Sequence, residues 1–335
     1  MQFDQLGRRE FIALIGGAAS AWPRVSRTQQ PTRVPVVAMV FAATRVAEML
    51  GANPVAPPAR GFVHGLRDLG WTDGANISIE RRSAEGDPQL APSIFAELLA
   101  HGVDVLMVGG VRWLQDAAQR ATREVPTVTD FSEDPVAAGL IASLARPGGN
   151  LTGVTQTTGP EFYGKQLQLL QEMAPRMSRA AFVAPRLQLE LYRAAVPPTA
   201  VAVIPVLLDV RQQYEEAFAT VIREQADTLL LGGSPVSYAE FRRVVKFAAD
   251  NSLPAIYPYR EAVEAGGLMT YGSNTEGRFR QAARLVDRIL KGAQPQDVPT
   301  EQPTTFELIV NRKTANALKL TVPNTLLVSA DEVIE

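Results

Sequence analysis

Gly102-Val103-Asp104-Val105-Leu106-Met107-Val108-Gly109-Gly110 leads, after a helical stretch, to Val125-Pro126-Thr127-Val128. The same phrase returns as Gln225-Ala226-Asp227-Thr228-Leu229-Leu230-Leu231-Gly232-Gly233, leading to Leu253-Pro254-Ala255-Ile256. Asp104 matches Asp227 and Gly109 matches Gly232, both at a separation of 123 residues. Apolar helical runs precede both copies, Ala96-Glu97-Leu98-Leu99 and Ala219-Thr220-Val221-Ile222. The unit of helix, strand, Gly-Gly loop, helix and proline-led strand is therefore written twice, which predicts two similar lobes.

The flanking sequence continues the pattern. Val36 to Phe41 is a short unbroken apolar run, the mark of a strand covered on both faces in a parallel sheet. Phe62, Leu66 and Leu69 recur at helical spacing and Gly70 supplies a stop. Ile77 to Glu80 reads as a strand, Ile94 and Leu98 as a helix ending before Gly102, Val105 to Val108 as a strand, and Trp113 to Ala121 as a helix. This βαβ series implies an α/β fold of two Rossmann-like lobes with mostly parallel sheets. Ligands of such sheets gather beyond the carboxyl ends of the strands, so two facing lobes joined by a hinge make a clam-shell with a cleft.

The length of 335 residues accommodates about two cores. An apolar fraction of 46% and a charged fraction of 20% disfavour both a disordered chain and a multi-span membrane protein. Lys plus Arg number 33 against 35 Asp plus Glu, which leaves no broad positive field for a nucleic acid. Cysteine is absent and His64 and His101 are the two histidines, so thiol nucleophiles, iron-sulfur clusters and zinc sites of the Cys or three-His kind cannot be assembled. The sequence holds no GxxxxGK[ST], GxGxxG, HExxH or GxSxG motif, and no enzyme activity, cofactor or metal is expected.

Residues 1–28 differ from the rest. Arg8 and Arg9 precede an apolar run from Phe11 to Trp22, too short for the roughly 20 residues a spanning helix needs. The segment reads as an export signal, and Arg8-Arg9-Glu10-Phe11-Ile12 resembles the twin-arginine pattern, with the general secretory route as the alternative. Ala19-Ser20-Ala21 and a point nearer Gln29 are both suitable cut sites. The mature chain would be periplasmic, without membrane insertion, and monomeric.

A cleft needs polar groups for a ligand's charged ends and an apolar wall for its body. Thr44, after the first strand, suits a hydrogen bond to a ligand or a turn cap. Glu85 suits an ammonium group or solvent. Gly109, Gly110 and Val111 open a helix whose unpaired N–H groups suit a carboxylate, or they simply make the turn. Asp130 is the candidate amine partner, and Asp134 before Pro135 is a candidate helix N-cap with ligand contact in addition. Ser234 would face the opening, while Tyr257 and Tyr259 either sandwich a ligand or pack into the core.

Several spaced segments carry a family resemblance: Gly61-Phe62 to Gly70-Trp71, Asp134-Pro135-Val136, Arg146-Pro147-Gly148-Gly149-Asn150-Leu151-Thr152-Gly153, Glu264 to Gly272, Ile289-Leu290-Lys291-Gly292, and Phe306-Glu307-Leu308 through Pro323. Over about residues 34 to 335 the chain resembles the substrate-binding proteins of ABC transporters that include tryptophan- and tyrosine-permease components, with a type I periplasmic binding fold. The resemblance implies a first lobe of 34–154 plus 275–302 and a second of 160–270 plus 306–335, with crossings near Thr155, Tyr271 and Pro303. It places Thr155, Gln156, Tyr271 and Asn274 around the hinge and pocket mouth. It implies capture of a small molecule, such as an amino acid or aromatic carboxylate, and delivery to an ABC permease. The alternative is a periplasmic ligand-sensing receptor module.

Overall fold

Val36–Phe41 forms β1, buried from Val37 onward, as an all-apolar run of this length requires of an interior parallel strand. The structure, a computed structural model, describes residues 33–109, 111–132, 134–156, 159, 161–195, 201–303 and 306–335, so the expected export segment lies outside the described residues. After β1 come α1 (Val46–Met49), α2 (Pro57–Asp68), β2 (Ser78–Ser83), α3 (Ala91–Ala100), β3 (Val105–Val108), α4 (Arg112–Ala121), β4 (Thr127–Phe131) and β5 (Leu151–Thr155). These strands make an all-parallel sheet in the order β2-β1-β3-β4-β5.

The chain then runs through α5 (Glu161–Met173), β6 (Arg179–Ala184), α6 (Arg186–Ala195), β7 (Ala202–Leu207), α7 (Tyr214–Arg223), β8 (Thr228–Leu231), α8 (Pro235–Ala239), α9 (Phe241–Asp250), β9 (Ala255–Tyr257), α10 (Arg260–Glu264) and β10 (Met269–Gly272). Here the order is β7-β6-β8-β9-β10, the same permutation as in the first sheet. Next come α11 (Thr275–Leu290), β11 (Glu307–Asn311), α12 (Arg312–Ala317), α13 (Asn324–Ser329) and β12 (Glu332–Ile334). β11 joins β10 antiparallel and β12 joins β11 parallel, extending the second sheet.

The repeated phrase acts identically in both lobes. Asp104 sits just before β3 and its Oδ2 accepts the Val36 N–H at 2.7 Å, while the Asp104 N–H donates to Val36 O at 2.8 Å. Asp227 sits just before β8, its carboxylate accepts the Arg179 N–H at 3.1 and 3.2 Å, and its N–H donates to Arg179 O at 2.9 Å. At the other end of the strand, the Gly109 N–H donates to Val40 O at 2.7 Å and the Gly232 N–H to Val183 O at 2.8 Å. One carboxylate thus caps the start of the neighbouring strand and fixes the register of each sheet.

Helix α11 belongs to the first sheet although β10 has already joined the second. Gly61 and Gly65 of α2 let the two helix backbones close up: a Cβ at Gly61 would lie 2.3 Å from Glu276 O, and one at Gly65 would lie 2.8 Å from Ala283 Cβ. Trp71 Nε1 donates to Asp287 Oδ1 at 2.8 Å, and Arg60 pairs with Glu276 at 3.0 Å. Beyond α11, Glu301 bridges to Val154 at the edge of the first sheet.

Asp104→Ala and Asp227→Ala each remove an acceptor for a strand-end N–H, and each should cost about 1–3 kcal/mol. They lie in different lobes, so the double variant should lose the sum to within roughly 0.5 kcal/mol in urea unfolding.

Candidate functional site

In sheets of this order the chain reverses direction between β1 and β3 and between β6 and β8, and these switch points leave a crevice outside the carboxyl ends. A cavity of about 830 Å³ lies there, lined by Thr44, Glu85 and Trp113 of the first lobe and Arg211, Phe241 and Glu261 of the second. Its size suits a small organic molecule. A deeper recess continues from it, bordered by Phe41, Tyr238, Tyr259 and Phe279, with Thr44 and Tyr238 shared between the two chambers.

The floor of the recess is a buried ion pair. Asp130, the fourth residue of β4, accepts from Arg278 Nε at 3.0 Å and Nη2 at 3.3 Å, and both side chains are at most 5% exposed. Gln156 Nε2 donates to Asp130 Oδ2 at 2.9 Å. Arg278 Nη1 donates to Ser273 O at 3.0 Å and to Ser273 Oγ at 2.7 Å, and Ser273 Oγ donates to Gln156 O at 3.0 Å. The ring of bonds closes through β4, α11, the segment after β5 and the segment after β10. Each charge is matched and hydrogen-bonded, the condition under which burial of an ion pair is tolerated.

The wall from the second lobe is equally organised. Tyr259 OH donates to Ser234 O at 2.7 Å and meets Ser237 Oγ at 2.9 Å, while Ser234 Oγ caps α8 by accepting the Ser237 N–H at 3.1 Å. Tyr238 stands edge-on to Tyr259 with ring centroids 4.9 Å apart, and its hydroxyl donates to Glu261 Oε1 at 3.0 Å. Burial pushes both phenols above their usual range, so they remain protonated donors at neutral pH. Burial likewise raises the Glu261 carboxyl, opposed by its own backbone N–H and the Tyr238 hydroxyl.

Of the residues singled out from sequence, Thr44, Glu85, Gly109, Asp130, Gln156, Ser234 and Tyr259 line the two chambers. Gly110 lies outside the described residues. The Gly109 N–H is spent on Val40 O and the Val111 N–H on Gly109 O at 2.9 Å, and Val111 packs into the core, so these two amides do not form the expected carboxylate cradle. Asp130 is not a free amine partner, because Arg278 and Gln156 already occupy its oxygens. Asp134 caps a turn rather than a helix, accepting the Val136 and Ala137 N–H groups at 2.8 and 3.0 Å.

Thr155 is buried and donates its N–H to Glu301 O at 2.9 Å. Tyr257 is core, 1% exposed, because β9 is an interior strand. Tyr271 packs in a three-ring cluster with Phe162 and Phe306, with centroids 5.6 and 5.5 Å away, and lines neither chamber. Asn274 is the N-cap of α11, accepting the Gly277 N–H at 2.7 Å. Sequence reasoning passed over Arg278, Tyr238 and Glu261. The signal for Arg278 was a cation on the apolar stripe of α11, between Thr275 and Phe279, Ala282 and Val286.

Two lobes of one permuted sheet order with a shared crevice define a two-lobed binding protein of the type I periplasmic fold. The chain belongs to the ABC transporter substrate binding protein family, whose pattern matches residues 45–334. It is 25% identical over 288 residues to the tyrosine-binding protein of Clostridioides difficile (strain R20291), spanning 82% of this chain and 80% of that protein. The ABC domain of Streptococcus pneumonia in complex with L-Trp superposes with a TM-score of 0.79 at 21% identity, covering 90% of this chain and 99% of that one. The ligand-free, open structure of a substrate binding protein with adhesive properties from Clostridium difficile superposes with a TM-score of 0.62 at 22% identity, covering 90% and 99%.

Arg278→Met would strand the Asp130 carboxylate in the interior and should cost about 3–5 kcal/mol in urea unfolding. Adding Asp130→Asn in the same chain should restore most of that loss, because no uncompensated charge is then left buried.

Proposed function

We propose that this chain is the periplasmic solute-binding component of an ABC importer, which captures a small molecule between its lobes and presents the closed form to the permease. The observation that carries the reading is the cavity of about 830 Å³ at the meeting of two equivalent switch points, gripped by side chains from both lobes. The lobes are 34–154 plus 275–302 and 160–270 plus 306–335, and the three crossings between them serve as the hinge. Residues 1–28 act as the export signal.

Closure follows from differential affinity: a guest that touches both lobes stabilises the state in which both are within reach. Gln188 Nε2 of α6 donates to Ser132 O, just beyond β4, at 2.8 Å, a contact between lobes that opening would break. Trp113, Tyr238 and Phe241 on the wall of the chamber, with the tyrosine-binding and tryptophan-complexed relatives, support an amino acid or aromatic guest. Chain chemistry is absent from this role: the guest leaves as it entered. No described helix is long and apolar enough to cross a membrane.

A thermal-shift screen over amino acids, aromatic acids, amines, nucleobases and sugars should give at least one compound that raises Tm, since binding to the native state alone stabilises it. Small-angle scattering should show compaction with that compound, and chromatography should return it unaltered. A particle of unchanging dimensions, or a converted compound, would refute the role.

A further inference from the structure

The two halves also meet at a point remote in sequence from the crossings. Gln188, in the first turn of α6, is 1% exposed and lines neither chamber. Its Nε2 group carries two hydrogens and both are used, one donated to Ser132 O at 2.8 Å and the other to Gly233 O at 2.6 Å. Ser132 follows β4 of the first sheet and Gly233 follows β8 of the second, so one amide spans the crevice between the sheets.

Both ends of this bridge are held. The second copy of the Gly-Gly loop seats the glutamines: a Cβ at Gly232 would fall 2.4 Å from Gln188 Oε1, and one at Gly233 would fall 3.0 Å from Gln156 Oε1. On the other side, Ser132 lies two residues beyond Asp130, whose carboxylate is fixed by Arg278, and the Gln156 N–H donates to the intervening Phe131 O at 2.9 Å. The acceptor therefore rides on the floor of the cleft and the donor on the second lobe. Gln188 Oε1 is sealed from solvent and has no hydrogen-bond partner, a cost that opposes the gain from the donated bonds. A single neutral bond from such an amide is a weak tie, worth a small factor in an equilibrium, and it biases the jaws without locking them.

We propose that Gln188 is a positioning residue for closure: its bond to Ser132 sets the balance between closed and open forms of the unliganded chain. This deepens, and rests on, the reading of the chain as a two-lobed solute-binding protein. Gln188 acts through the position of the lobes and not by touching the guest, because apparent affinity scales with the fraction of molecules already in the competent form.

Leu90 and Gln212 are exposed and follow β2 and β7, the strands at the sheet edges opposite β5 and β10, where opening moves the lobes furthest apart. The chain has no cysteine, so Leu90→Cys with Gln212→Cys places a single pair of spin labels across the jaws. Pulsed electron spin resonance on the full chain without solute should resolve a short and a long distance. Gln188→Ala and the volume-keeping Gln188→Met should each lower the short-to-long ratio about fivefold, with a matching expansion in small-angle scattering. Asp227→Ala, which removes a bond within the second lobe, should lower stability and leave the ratio unchanged. A single distance in the parent, an unaltered ratio in whichever Gln188 variant folds, or an equal shift in Asp227→Ala overturns the latch. None of these outcomes touches the solute-binding reading, which stands or falls on the thermal-shift and compaction measurements.

Discussion

The Asp130–Arg278 pair ties together the parts of the chain on which the two-lobed shape depends. Its partners reach the segment after β5 through Gln156 and the segment after β10 through Ser273, so two crossings are stapled to the sheet of the first lobe. Buried ion pairs add little net stability, but breaking one is expensive. That asymmetry suits a hinge base: the floor of the cleft is held in one geometry while the lobes above it approach or part.

Duplication explains why a cleft exists at all. Each half places a switch point at the carboxyl ends of its strands, and the chain crosses so that these ends face each other. The same capping aspartate in each half sets strand register. Both glycines are crowded: a Cβ at Gly109 would fall 2.4 Å from the Phe41 ring and one at Gly232 would fall 2.4 Å from Gln188. Their role is close packing against the Phe41 ring and the Gln188 side chain.

The interior and the rim of the cleft divide the work of recognition. The recess, of about 30 Å³, combines an already neutralised ion pair with phenol and phenyl rings. The outer chamber carries the charges left over after the pairing within each lobe.

By itself the sequence determined the βαβ order and the duplicated unit, with Asp104 matching Asp227, because buried parallel strands and amphipathic helices are local patterns; that these aspartates cap strands 68 and 48 residues away is set by the fold. It also placed Thr44, Glu85, Asp130, Ser234 and Tyr259 at strand ends, with Gln156 added by the family resemblance, and the chambers lie at those ends. Only the tertiary structure decided which of them are free. Asp130 looked available until α11, packed through Gly61 and Gly65, delivered Arg278 to it from 148 residues away. Tyr257 and Tyr259 share a strand-like alternation, yet interior packing took one and the Ser234 turn took the other. Charge pairing between distant segments depends on how helices dock, and no local periodicity encodes that.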